Sequence, residues 1–192
     1  MVDFIADDAV RVLDVGSANG DFGRELARQR PHVRVWGIDP CPGESVTGYQ
    51  SVFSGEYPRD MPTGMTFDCI VFNDVLEHMA EPWDALRATR DWLAAGGTVV
   101  ASIPNVRHYR VIVPLVVRDQ WTYADAGILD RTHLRFFTRR TVEELFDSTG
   151  YDVVRVEPLR LPTAGRRGTL RRITKRFDPF LTEQFGVVAT DR

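Results

Sequence analysis

Val12-Leu13-Asp14-Val15-Gly16-Ser17-Ala18-Asn19-Gly20, answered by Asp39 at the end of the next apolar run, is the stretch that decides the fold. Arg11-Val12-Leu13-Asp14-Val15 is a short β-branched run halted by Gly16, the pattern of a buried strand. Residues 21–30 follow with Phe22, Leu26 and Ala27 on one helical face and Pro31 just beyond. Val33-Arg34-Val35-Trp36-Gly37-Ile38 is a second strand closing on Asp39. Strand, glycine turn, helix, strand is the unit of a parallel sheet, because parallel neighbours need a long crossover between them.

The alternation continues outward from this unit. Residues 40–64 are rich in Pro, Gly and Ser; a crossover helix belongs there, yet only Gln50-Ser51-Val52-Phe53 has any pattern, that of a short strand. Phe67-Asp68-Cys69-Ile70-Val71-Phe72 is another buried strand, ending at Asn73-Asp74. A helix is expected over 82–95, with Pro82 in its first turn, Trp83, Leu86, Trp92 and Leu93 inward, and Gly96-Gly97 as its stop. A strand over 98–103 leads into residues 104–138, an insertion without one clean period, placed where such segments often shape a ligand site. Thr138 can cap a helix reaching Ser148, with Val142, Leu145 and Phe146 inward and Gly150 past its end. Two closing strands are expected over 151–158 and 185–190, joined by a basic connection over about 160–178 that holds Arg166, Arg167 and Arg176. The expected fold is α/β, a mostly parallel sheet with an antiparallel last strand and helices on both faces, in one domain over 1–192.

The 192 residues suit one well-filled core, and 43% hydrophobic with 27% charged residues is a globular balance. A net charge of −3 gives no general reason to expect nucleic acid, so any such partner needs a local patch. No apolar run is long enough to span a membrane, and Met1-Val2-Asp3-Phe4 lacks the layout of a signal peptide, so the cytoplasm is the expected compartment. Cys69 falls in an apolar strand and Cys41 in a Pro-rich turn, a spacing that suggests free thiols. No paired His or Cys spacing announces a metal site.

Gly16 and Gly20 allow a tight turn that a ligand can approach closely, and an acid about twenty residues on can accept from both hydroxyls of a ribose. A dinucleotide and an adenosyl group satisfy this equally. Two features separate them. Ala18 stands where a dinucleotide turn usually has its middle glycine, and Asp14 places a carboxylate before the turn. That charge repels a pyrophosphate and favours the ammonium and sulfonium of S-adenosylmethionine.

Val12-Leu13-Asp14-Val15-Gly16-Ser17-Ala18-Asn19-Gly20 resembles the first motif of class I methyltransferases, a Rossmann-like family, and Trp36-Gly37-Ile38-Asp39 their ribose-binding motif. Phe67-Asp68-Cys69-Ile70-Val71-Phe72-Asn73-Asp74-Val75-Leu76-Glu77-His78 resembles the fourth-strand motif of the ubiquinone-methyltransferase-like branch. Gly127-Ile128-Leu129-Asp130-Arg131-Thr132-His133-Leu134-Arg135-Phe136-Phe137-Thr138 resembles bacterial members associated with polysaccharide biosynthesis, among which actinobacterial methylmannose polysaccharide methyltransferases are one candidate group. The resemblance implies that Gly16, Ala18, Asn19 and Gly20 line the methionine portion of the cofactor, that Asp14 holds its amino group directly or through water, and that Asp39 holds its ribose. It implies adenine contacts from Glu56 and Tyr57, with Asn73 and Asp74 beside the reacting sulfur. The N-terminal segment that covers the cofactor in family members is nearly absent, which leaves residues 107–123 as a candidate lid.

A hydroxyl acceptor benefits from a base, and histidine suits that task near neutrality. Of the four histidines, His32 reads as surface and His78 as packing, capping or catalytic. His108 follows Pro104-Asn105 near the expected acceptor position. His133 is the expected general base, with Asp130 orienting its imidazole, although a structural role stays open for it. Trp121, Tyr123, Phe136 and Phe137 can stack on a sugar or simply form core. The acceptor expected is a saccharide hydroxyl or other small molecule, and a homodimer is allowed. An N-methyltransferase on an amine or RNA, a nicotinamide-dependent oxidoreductase and a non-catalytic adenosylmethionine-binding protein compete with that reading.

Overall fold

The structure is a computed structural model that describes residues 1–43, 46–159 and 178–192. Its strands are β1 (Arg11–Val15), β2 (Arg34–Asp39), β3 (Ser51–Ser54), β4 (Phe67–Asn73), β5 (Leu93–Pro104), β6 (Tyr151–Leu159) and β7 (Gln184–Asp191). They form one seven-stranded sheet in the order β3-β2-β1-β4-β5-β7-β6. Every pairing is parallel except those of β7, which runs antiparallel to both β5 and β6. The expected Rossmann-like architecture with one reversed strand is therefore what the chain adopts.

Alternation of side chains builds a core on each face of the sheet. Val12, Cys69, Val71 and Val100 point to one face, where Leu26 of α1 (Asp21–Gln29) and the N-terminal Val2, Phe4 and Ile5 meet them. Leu13, Ile70, Phe72, Val99 and Ala101 point to the other, against Leu86 of α2 (Pro82–Ala88) and Val142, Leu145 and Phe146 of α4 (Arg139–Ser148). With both faces covered, the inner strands can be apolar at successive positions. Thr138 caps α4 as expected, through a capping box with Thr141. The insertion contains α3 (Tyr109–Arg118), and α5 (Asp178–Leu181) precedes β7.

Two expectations are corrected. The helix expected over 82–95 ends at Ala88, and a single tight turn, Thr89–Asp91, separates it from β5. Gly96-Gly97 do not stop that helix. They lie within β5 at a register shift, where Leu93 pairs with Phe67 but Thr98 with Cys69. Gly96 takes φ 76° there, and a Cβ on Gly97 would stand 3.1 Å from the Asp68 carbonyl oxygen. The basic connection expected over about 160–178 lies outside the described residues, apart from its last position.

Candidate active site

The sheet order reverses between β1 and β4, and the carboxyl ends of these strands open a cleft, the usual ligand position in such folds. The cleft holds about 770 Å³ and is lined by Gly16, Ala18, Asp39, Glu56, Tyr57 and Asp74, with Val75 and Leu134 among its apolar walls. Gly16 is required by geometry: at φ 76°, a Cβ would sit 2.4 Å from Val75 Cγ2. Ala18 adopts φ 42°, a left-handed conformation that costs a non-glycine residue about 1 kcal/mol. Its neighbours hold it there. Ala18 N–H donates to Asp39 Oδ2 (2.9 Å), while Gly43 N–H donates to the Ala18 carbonyl (3.0 Å). Cys41 N–H donates to the second Asp39 oxygen (2.8 Å), so the carboxylate is fixed at the cleft by two backbone donors.

Asp14 stands behind this turn at 1% exposure. One oxygen accepts from the Tyr49 hydroxyl (2.5 Å), which itself accepts from Gly23 N–H (3.0 Å); the other oxygen is buried without a hydrogen-bond partner. Burial drives the carboxyl up to about 7, with the Tyr49 bond opposing that rise and the nearby Asp39 charge adding to it. Tyr49 is a residue that sequence reasoning missed. It enters from the stretch between β2 and β3, where no helix forms among the described residues, and its ring occupies the space of a Cβ on Gly23 (2.2 Å) and presses on Gly37 (3.1 Å).

A second, smaller cavity of about 220 Å³ adjoins the cleft through Asp74 and His78, which line both. Glu77, Pro104, Gly127, Ile128, Asp130, His133, Glu183 and Gln184 complete its wall. Asp74, at φ 57°, donates its N–H to Ser102 Oγ (3.0 Å), and its side chain accepts from Ser102 and Gln184. The Glu77 carbonyl accepts from Leu134 and Arg135 N–H (2.8 and 3.0 Å), which pins the loop carrying His133 against the turn after β4. The Glu77 side chain points inward at 1% exposure, and neither carboxyl oxygen has a hydrogen-bond partner in another residue. Burial pushes that carboxyl up to about 8. His133 Nε2 faces it from 4.0 Å, and burial lowers the imidazole's proton affinity. Both shifts favour the uncharged forms of the pair.

The expected site residues divide. Gly16, Ala18, Asp39, Glu56, Tyr57 and Asp74 line the cleft, whereas Asp14, Asn19, Gly20 and Asn73 stand behind or beside it. The Tyr57 hydroxyl turns away to Thr89 Oγ1 (2.8 Å), and its ring packs on Phe72. Asn73 accepts from Ser102 Oγ (2.9 Å). His133 and Asp130 both line the smaller cavity, but Asp130 does not orient the imidazole. The Ile128 carbonyl accepts from His133 Nδ1–H (3.1 Å) instead, because the Asp130 carboxylate is taken by the Thr132 N–H and hydroxyl (2.8 and 2.6 Å). His108 lies elsewhere, buried as the N-cap of α3. No residue of 107–123 lines either cavity, and Trp121 packs edge-on against Phe136 while Phe137 joins the core.

Known proteins similar to this chain are methyltransferases. Trans-aconitate 2-methyltransferase of Streptomyces avermitilis is 29% identical over 108 residues, 51% of this chain and 40% of that protein. Ubiquinone biosynthesis O-methyltransferase of Cereibacter sphaeroides is 26% identical over 158 residues, 77% of this chain and 62% of the relative. The chain thus spans less than two thirds of either relative's length. Among solved structures, a SAM dependent methyltransferase from Archaeoglobus fulgidus superposes with a TM-score of 0.62 at 16% identity, over 95% of this chain and 86% of the other. The plantazolicin methyltransferase BpumL, solved with a monoazolic desmethylPZN analog and SAH, gives 0.64 at 12% identity, over 96% and 77%. These likenesses establish a shared fold. A family model described as a methyltransferase domain matches residues 2–156, from the N-terminal turn under the sheet into β6, and the chain belongs to that family.

Proposed function

We propose that the chain is an S-adenosylmethionine-dependent methyltransferase that methylates a hydroxyl oxygen of a saccharide. The observation that carries this reading is the adjacency of the two cavities: a cleft beside the glycine turn and Asp39 opens, past Asp74 and His78, on a smaller chamber walled by Glu77 and His133. The residues present fit the cofactor. Gly16 lets the turn pack closely against Val75 in the cleft wall, Asp39 offers a fixed carboxylate to a ribose diol, and Asp14, behind the turn, keeps a buried oxygen without a hydrogen-bond donor that a cationic tail would answer. S-adenosylmethionine, when bound, supplies an electrophilic methyl on a sulfonium whose thioether is the leaving group.

The chain's own residues position the acceptor and take the cost of its proton. Positioning supplies much of the acceleration of such a transfer. The new carbon–oxygen bond forms as the carbon–sulfur bond breaks, and the hydroxyl proton must leave; that departure depends on His133, whose Nε2 carries the ring's lone pair because Nδ1–H is held by Ile128. Oxygen is favoured by the name of the relative from Cereibacter sphaeroides, an O-methyltransferase. A saccharide is favoured by the resemblance of residues 127–138 to polysaccharide-linked members, since Gly127, Ile128, Asp130 and His133 wall the smaller cavity.

The test is transfer of labelled methyl to a panel of oligosaccharides, with aminosugars and RNA alongside. Label on saccharide oxygen is expected; label on amines or RNA alone overturns the acceptor, and cofactor binding without any transfer overturns catalysis. His133→Ala is expected to lower turnover about 100-fold or more with cofactor affinity unchanged.

A further inference from the structure

The turn after β4 sends two consecutive side chains into different surroundings. Glu77 is buried, and His78 lies at the surface beside it. His133 comes from far along the chain, carried by the loop that hangs on the Glu77 carbonyl. The result is that one Glu77 oxygen and one nitrogen from each histidine all lie within 4.8 Å of one another, with the two rings 4.7 Å apart edge to face.

Two further observations point to a cation. A buried carboxylate is normally met by donors, yet neither Glu77 oxygen accepts a hydrogen bond from another residue, and His133 Nε2 at 4.0 Å is beyond hydrogen-bond reach. Both imidazoles, moreover, are held by their Nδ1 side. His133 Nδ1 meets the Ile128 carbonyl at 3.1 Å, and His78 Nδ1 meets the Thr132 carbonyl and hydroxyl at 3.3 and 3.1 Å. A histidine that donates one N–H to a carbonyl presents its other nitrogen as a lone pair, which is how metal-ligating histidines are oriented.

We propose that Glu77, His78 and His133 bind one divalent transition-metal cation in the wall of the smaller cavity. Two imidazoles and a carboxylate suit zinc, manganese or ferrous iron better than magnesium or calcium, which prefer all-oxygen shells. With bonds of about 2.1 Å, tetrahedral ligands stand about 3.4 Å apart, so the set must draw in by about 1 Å. Rotation of the exposed His78 ring can deliver its part, and the Glu77–His133 pair, at 4.0 Å, must close by about 0.6 Å. The cation's remaining positions would face the cavity, open to oxygen atoms of an acceptor, where its charge eases loss of a hydroxyl proton. This deepens the function proposed above and rests on the smaller cavity being the acceptor site. His133 then acts by holding the cation, not as a lone base.

Tag-free full-length chain, stripped with a chelator, is titrated with Co²⁺ by visible absorption and with Zn²⁺ by calorimetry. One cation per chain and the ligand-field bands of a nitrogen–oxygen site are expected. Glu77→Gln, which keeps the side chain's shape, and His78→Ala, at the surface, are each expected to weaken binding about tenfold or more, with thermal melting confirming the fold. His32→Ala, at an exposed histidine remote from the site, leaves binding unchanged. No saturable binding, or binding indifferent to both variants, overturns the site. Undiminished transfer to saccharide by chelator-stripped chain overturns it while sparing the acceptor assignment. Cation binding with no saccharide methylation does the reverse.

Discussion

Asp14 and Glu77 are both carboxylates at 1% exposure near the carboxyl edge of the sheet, and the chain houses them differently. Asp14 is half-answered by its own scaffold, since the Tyr49 hydroxyl takes one oxygen and the glycine turn closes over the group. Glu77 receives no such partner and faces a cavity. Burial raises both, Asp14 to about 7 and Glu77 to about 8. The difference separates two kinds of site. On the cofactor side, backbone shape does most of the work and the acid is a background charge. On the proposed acceptor side, side chains from separate segments converge and leave a carboxyl group to be satisfied from outside.

The comparison can be broken first through pH. The folded chain keeps the Asp14 proton until about pH 7, whereas the unfolded chain releases it near 3.8. The folded state therefore holds more protons across that window, so this group's contribution is fully present below pH 3.8 and is lost as pH rises through 7. The loss amounts to at most about 4 kcal/mol for a shift of this size. Urea unfolding at a series of pH values should show the decline, and Asp14→Asn should flatten its acid portion. S-adenosylmethionine, whose cationic tail prefers the ionised acid, should bind more tightly across the same rise. An affinity independent of pH would break the role given to Asp14.

A smaller effect sharpens the cofactor side. Gly16→Val places a side chain where Val75 already stands and forces a branched residue to φ 76°. A turn displaced from its binding geometry to relieve strain of about 3 kcal/mol should lose cofactor affinity by about 100-fold, measurable by calorimetry. Cobalt binding at the other side should survive the change; unaltered cofactor affinity would remove the cleft from consideration. The smallest effect is on the acceptor side. Thr138→Ala deletes the capping box of α4, next to the bridge between Asn105 and Phe137, and should cost about 1 kcal/mol by thermal melting. Its cofactor affinity should stay that of the parent chain.

What could be read from the sequence follows the same division. The β1 turn, α1 and Asp39 were legible because their signals are local: a β-branched run, a glycine stop and an acid at a strand's end. Thr138 was legible for the same reason, a cap written three residues from its partner Thr141. The end of α2 was not, because pairing of Leu93 with Phe67, a contact between strands, decides where the helix gives way. Asp130 looked like the natural partner of His133, but Thr132 offers it a nearer hydroxyl and backbone N–H. The meeting of Glu77 and His78 with His133 was invisible as spacing, since a loop fold brings it about. Residues 107–123 hold the helix Tyr109–Arg118 and line neither cavity, and the loop after them, at Gly127, Ile128, Asp130 and His133, supplies the cavity wall.

One phenol links positions that look independent. Because the Tyr49 ring fills the room that a side chain on residue 23 would need, positions 23 and 49 vary as one unit: a variant library that randomised them separately would yield mostly misfits. Enlarging Gly23 demands a smaller residue at 49, and that exchange also strips Asp14 of its hydroxyl partner, whereas a side chain on Gly37 would meet Ser17 first. Any redesign of the nucleoside end, such as grafting a longer connection between β2 and β3, has to begin by replacing this plug.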